Sequence, residues 1–211
     1  METSSNDGET WTELWSRSGN QGEGWLNSRV TLQTTDTTTL RFVGTTAGDT
    51  SDFAIDDFVA WQGPDPFSPS QAPTQTAGST SSRAPTTPPA PEMPGPTIPP
   101  TWTPTSTPTY PREVCDFDTS ECGFSDNGGR DWVRHSGPTP SYPQTGPGSD
   151  HTSGYGSYMF VESSSPNSPN VGPFVLQTDL SEGVSYVDFW YHMYGFASKF
   201  VYPFYEHKPG K

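Results

Sequence analysis

Phe53-Ala-Ile-Asp-Asp-Phe-Val-Ala-Trp61 is an apolar run interrupted only by two carboxylates. Its length and its aromatic and β-branched residues suit a strand covered on both faces. Working outward, Leu40-Arg-Phe-Val-Gly44 and Val30-Thr-Leu-Gln-Thr34 alternate apolar and polar residues, as half-buried strands do. Ser18-Gly-Asn-Gln-Gly22, Thr35-Asp-Thr37 and the stretch from Thr45 to Asp52 supply the turns between them. A second β region lies downstream. Tyr158-Met-Phe-Val-Glu162, Phe174-Val-Leu-Gln-Thr178 and the aromatic-rich Val184-Ser-Tyr-Val-Asp-Phe-Trp-Tyr191 are its strands. No segment carries a helical period. Short strands separated by frequent turns predict an all-β protein built as a sandwich or jelly roll.

Composition divides the chain. Of 211 residues, 29% are hydrophobic, against roughly 45–50% in average globular proteins, and 24 are Pro. The Pro, Thr and Ser are concentrated in residues 64–111, which hold almost no aliphatic or charged residue. Such a stretch cannot bury a core and is expected to be a disordered linker, either O-glycosylated or bare. The expected organisation is a β segment at 10–63, the linker at 64–111, a second β segment at 112–202 and an unassigned tail at 203–211.

The formal net charge of −14 argues against nucleic acid, because no cationic surface is available to meet phosphate. It equally supplies no basic patch for anionic lipid. No run approaches the roughly 18 apolar residues of a membrane span. The opening Met1-Glu-Thr-Ser-Ser-Asn-Asp7 is polar and acidic, so no signal peptide is expected within this chain.

The two cysteines, Cys115 and Cys122, are expected to form a disulfide in an oxidising compartment. The competing use as a metal pair lacks a second Cys pair and matches no zinc spacing. Closing so small a loop stabilises by about 2–3 kcal/mol on the chain-entropy account.

Several motifs occur in a recognisable order. Cys115-Asp-Phe-Asp118 precedes Cys122-Gly-Phe124. Then follow Asp131-Trp132 with Arg134, Asp150-His-Thr-Ser-Gly-Tyr-Gly-Ser-Tyr-Met159, and Phe189-Trp-Tyr-His-Met-Tyr-Gly195. Upstream stand Leu14-Trp-Ser-Arg-Ser-Gly-Asn-Gln-Gly-Glu-Gly-Trp25 and Ala54-Ile-Asp-Asp57. These residues resemble the MAM domain. The downstream set resembles that domain's N-terminal half, and the upstream set its C-terminal half, so the halves stand in reversed order. The resemblance implies a jelly-roll-like β-sandwich present as two half-domains, a slice of a tandem array in a larger extracellular protein. A second Cys pair usual in the family is missing; Gly63-Pro-Asp-Pro66 stands where one member is expected. The two segments are expected to pair into one permuted sandwich, with the Phe53–Trp61 strand beside the Cys115 strand. If instead each half belongs to a different parent domain, both stay incomplete.

The candidate chemistry is a cation site. Ca²⁺ takes six to eight oxygens from carboxylates, hydroxyls and carbonyls. Asp118 follows the first strand, Asp150, Thr152 and Gly154 occupy a turn-rich loop, and Asp57 lies in the closing strand. Strands and loop of this kind are expected, by resemblance, to converge. The plainer alternative makes Asp56 and Asp57 a solvated strand end and has Asp150 capping its own turn. No catalytic residue is expected. His135, His151 and His192 lack a Gly-x-Ser-x-Gly or His-Glu-x-x-His context. Trp15, Trp25, Trp61, Trp132 and Trp190 are expected in the core.

The resemblance therefore implies a non-enzymatic adhesion or protein-interaction module on a cell surface or secreted, with protein partners, homophilic ones among them. The alternatives are a non-catalytic portion of an ectodomain enzyme such as a meprin-like metalloprotease, and a glycan-binding jelly roll.

Overall fold

The computed structural model describes residues 1–46, 48, 50–63, 112–141, 145–164, 172–195 and 198–200. The linker and the tail expected at 203–211 lie outside these residues. Thirteen strands follow in chain order. They are β1 (Glu2–Ser4), β2 (Thr12–Glu13), β3 (Arg17–Ser18), β4 (Leu26–Thr31), β5 (Thr38–Thr46), β6 (Phe53–Gln62) and β7 (Arg112–Cys115), then β8 (Ser125–Asp126), β9 (Val133–His135), β10 (Tyr158–Val161), β11 (Phe174–Leu180), β12 (Val184–Met193) and β13 (Ser198–Phe200). No helix is present among the described residues, and none is long and apolar enough to cross a membrane.

The strands form two antiparallel sheets that pack as a sandwich. One has seven strands, in the order β2-β1-β5-β11-β8, with β13 joining β5 to β3. The other has six, in the order β4-β12-β6-β10-β9, with β7 also on β6. Both sheets draw strands from before and after the linker. β5 lies along the whole of β11, from Phe174↔Gly44 to Leu180↔Thr38. β6 carries β12 on one edge, and its other edge is divided between β10 and β7.

A bulge in β6 explains how its two carboxylates fit into a buried strand. The pairing with β12 runs Asp188↔Val59 and then Trp190↔Asp56, so β6 holds one extra residue there. Asp57 sits at this point with φ of 48°, a left-handed conformation that Asp tolerates better than most residues. The extra residue changes the strand's phase. Phe53 and Ile55 face the inter-sheet core before the bulge, and Phe58 and Ala60 face it after. Without it, strict alternation would turn Phe58 and Ala60 outward.

The core between the sheets is aromatic. Phe42 meets Phe189 edge-to-face with ring centroids 5.0 Å apart, and Phe53 meets Trp132 at 5.2 Å. Phe53 fits because residue 44 is glycine: a Cβ there would lie 1.8 Å from the Phe53 ring. Met1 is fully buried, and its amino group donates to the Trp15 carbonyl at 2.6 Å. β1 precedes the segment expected to begin at residue 10, and it completes the seven-stranded sheet through β5. The outer face of the six-stranded sheet is also covered in part. Ala54, Tyr158 and Phe160 form a small second cluster with Trp25, and the Tyr158 hydroxyl donates to the Gly137 carbonyl at 2.7 Å.

Candidate functional site

The bulge places Asp56 and Asp57 beside the loop that leads into β10. Asp56 is 1% exposed; its carboxylate accepts from the backbone N–H of Asp57 and that of His151, both at 2.8 Å. Burial pushes its pKa from 3.8 up to about 7, with the Asp57 and Asp150 charges adding to the rise against those two hydrogen bonds. Asp57 Oδ2 lies 2.7 Å from His151 Nδ1 and accepts from the Thr152 hydroxyl. The His151 ring stacks on Trp190, centroids 3.6 Å apart and planes 17° apart.

Asp150 caps its own turn. Its carboxylate accepts from the backbone N–H of Ser153 and of Gly156, each at 2.8 Å, and from the Ser153 hydroxyl. These bonds, set against a partial desolvation, leave its pKa below the usual value. Gly154, at φ of 78°, supplies the left-handed residue that this tight loop needs. The loop's backbone is thus held from within while Tyr155 projects from it, 93% exposed.

Asp118 occupies a separate corner. Its Oδ1 accepts from the backbone N–H of Ser157 at 2.8 Å, and Gly156 passes so close that a Cβ would meet that oxygen at 1.9 Å. Arg134 Nη1 donates to the carbonyls of Phe117 and Asp118 and to the Ser157 hydroxyl, each at 3.1 Å. The cation at this corner is therefore a guanidinium.

The structure brings the five proposed Ca²⁺ ligands to one end of the sandwich but not to one point. Asp57 and Thr152 bond each other, Asp150 and Gly154 shape their own turn, and the Asp118 carboxylate takes the Ser157 N–H while its carbonyl takes Arg134. Among the described residues, no group of three or more His, Cys, Asp or Glu side chains is arranged to hold a metal ion. Backbone N–H, hydroxyl and imidazole groups already bond the carboxylates of Asp57, Asp118 and Asp150, so this arrangement does not fit a Ca²⁺ ligand shell. The carboxylates act instead as clamps for the loop.

Cys115 and Cys122 are bridged, with their Cα atoms 5.8 Å apart. The bridged loop contains Phe117, which is fully buried, at φ of 55°. Sequence reasoning missed several polar partners. Asp52, fully buried, accepts from the N–H and hydroxyl of Ser163 and from the Thr145 hydroxyl, and burial raises its pKa. The partners of His192 and Trp190, the Glu23 carbonyl and the His151 ring, were not read from the sequence, because both residues look like ordinary strand positions. Of the five tryptophans expected in the core, Trp15 and Trp132 are buried there, whereas Trp25, Trp61 and Trp190 are half-buried on the outer face. Trp61 stacks on Tyr186 and donates to Asp188, which also takes a two-point ion pair from Arg29.

Fold and site together define a disulfide-tied, all-β sandwich module whose outer sheet face and adjoining loop carry its polar chemistry. Residues 115–207 match the family model of the MAM domain, meprin/A5/mu. The chain is 36% identical over 84 residues to Thyroid hormone-induced protein B of Xenopus laevis, covering 38% of this chain and 12% of that protein. It is 36% identical over 88 residues to MAM domain-containing protein 2 of Mus musculus, covering 40% of this chain and 13% of that one. The chain thus spans about an eighth of the length of these curated relatives. No solved structure matches.

Proposed function

We propose that this chain is a non-enzymatic, extracellular adhesion and protein-interaction module within a larger MAM-containing protein. The MAM match at residues 115–207 carries this reading. The disulfide supports an oxidising environment. The three described histidines each serve a local tie: His135 to the Pro138 carbonyl, His151 to Asp57, and His192 to the Glu23 carbonyl. Tyr155 offers a contact residue of the type that dominates protein interfaces, on a loop whose ordering is already complete. The partners are proteins at the cell surface, with a second copy of the module as one candidate.

The test is to couple the purified chain to beads, giving multivalent display, and to assay it for self-aggregation and for binding to an array of cell-surface ectodomains. A glycan array runs in parallel. Ectodomain or self binding that weakens in Tyr155→Ala supports the reading. Binding to glycans alone transfers the module to the lectin class.

A further inference from the structure

A cavity of about 340 Å³ opens between the outer face of the six-stranded sheet and the loop that follows β9. Glu23, His192 and Tyr194 line one part of it, and Pro138, Thr139 and Pro147 another. This is the small end of the roughly 300–1,000 Å³ range of ligand cavities, enough for one side chain but not for a folded segment.

The cavity's chemistry is one-sided. Pro138 and Pro147 have no N–H to offer. The Thr139 N–H is spent on the Pro147 carbonyl at 3.1 Å. Tyr194 gives its hydroxyl proton to the Glu23 carboxylate. His192 Nε2 lies 3.1 Å from the Glu23 carbonyl, an acceptor, so this nitrogen carries the proton. The neutral ring, favoured by burial, then leaves Nδ1 as an acceptor, and that buried atom has no hydrogen-bond partner. The described lining includes no Lys or Arg. The Glu23 carboxylate and the Tyr194 phenol oxygen call for donors from the cavity, whereas the buried Nδ1 of His192 does not face it. An occupant rich in donors, positively charged, with a flat face for the Tyr194 ring, satisfies this set.

We propose that the cavity receives an arginine side chain from a partner protein, with its guanidinium forked onto the Glu23 carboxylate. A guanidinium matches a carboxylate by paired N–H bonds and stacks on aromatic rings, which an ammonium does less well. The net charge of −14 favours approach of such a cationic partner. This assignment rests on the interaction-module reading but is tested separately from it.

The test titrates the full ¹⁵N-labelled chain with N-acetyl-arginine methylamide and follows amide shifts by NMR. The expected result is movement of the Gly146 and Gly148 amides, which border the cavity. Glu23→Gln should weaken binding at least tenfold, with shift dispersion elsewhere unchanged. Tyr194→Phe, which keeps the carboxylate and frees it, should bind as well as or better than wild type. Three results would overturn the assignment: no movement of these amides, equal binding of the uncharged citrulline analogue, or loss of binding in Tyr194→Phe. Movement of the same amides by methyl glucoside in place of the arginine probe would also overturn it and assign the cavity to sugars. Arginine binding without any bead or ectodomain binding would sink the interaction-module reading and leave the site standing. The converse would remove only the site.

Discussion

Phe58 pairs with Cys115 across neighbouring antiparallel strands, although the whole linker lies between them in sequence. The same β6 strand pairs with β10 through Ile55↔Met159. A strand from the first segment is thus the centre of a sheet whose other members, apart from β4, come from the second. The bulge at Asp57 joins the two pairings and returns Phe58 and Ala60 to the core, while Asp56 keeps the outer face.

Asp56 makes stability depend on pH in a definite direction. Its folded pKa, about 7, lies above the ordinary 3.8, so folding favours the protonated form. The stabilisation is complete below about pH 4 and is lost as pH rises through about 7. Asp52 acts in the same direction. Asp150, shifted the other way, contributes above its ordinary pKa and loses that contribution as pH falls through its lowered folded value. Urea unfolding should show falling stability between about pH 4 and about pH 7, by at most about 4 kcal/mol from Asp56. Asp56→Asn should flatten that slope; an unchanged slope would remove Asp56 as its cause.

The Asp150 turn should be structural. Asp150→Ala leaves the N–H groups of Ser153 and Gly156 without their acceptor, at a cost of about 1–3 kcal/mol. The loss of melting temperature should be the same in Ca²⁺ and in chelator. A wild-type melting temperature that rises with millimolar Ca²⁺, with the rise abolished in Asp150→Ala, would restore the cation reading.

The Asp118 corner gives a paired expectation. Gly156→Ala drives a methyl into Asp118 Oδ1, and Arg134→Met removes the guanidinium that joins Phe117, Asp118 and Ser157. Each should cost about 1–3 kcal/mol. The double variant should cost less than the sum, because both changes loosen the same Asp118–Ser157 corner. Full additivity in denaturant unfolding would mean that the two groups act independently.

The disulfide closes a separation of seven residues. Replacing both cysteines with alanine should cost about 2–3 kcal/mol on the chain-entropy account, read as a fall in urea midpoint. A loss well below 1 kcal/mol would indicate that the loop is already ordered by Phe117 and Phe124.

Much of the architecture was legible because its signals are local. The run from Phe53 to Trp61 and the alternation from Val184 to Tyr191 name the two longest strands of one sheet. β1 was not legible, since Glu-Thr-Ser has no apolar period and is a strand only because β5 presents its edge. The carboxylates around residue 150 were found by motif, and for Asp150 the plainer of two readings, a cap on its own turn, is the one its hydrogen bonds match. Whether Asp118 meets a metal ion or the Ser157 N–H depends on where the chain before β10 lies, which is a matter of tertiary structure. His192 carried no signal, because its place opposite Glu23 arises from the pairing of β12 with β4 and β6.

The central claim is that residues before and after the linker form one sandwich. A specific protease site placed at about residue 85, within the linker, tests it in the full chain. After cleavage, size-exclusion chromatography under native conditions should elute both fragments together, with the β circular-dichroism signal unchanged, because β5–β11 and β6–β12 hold them across two sheets. Urea should separate them. Fragments that part without denaturant, each keeping its own cooperative melt, would contradict the account and return each segment to a separate domain.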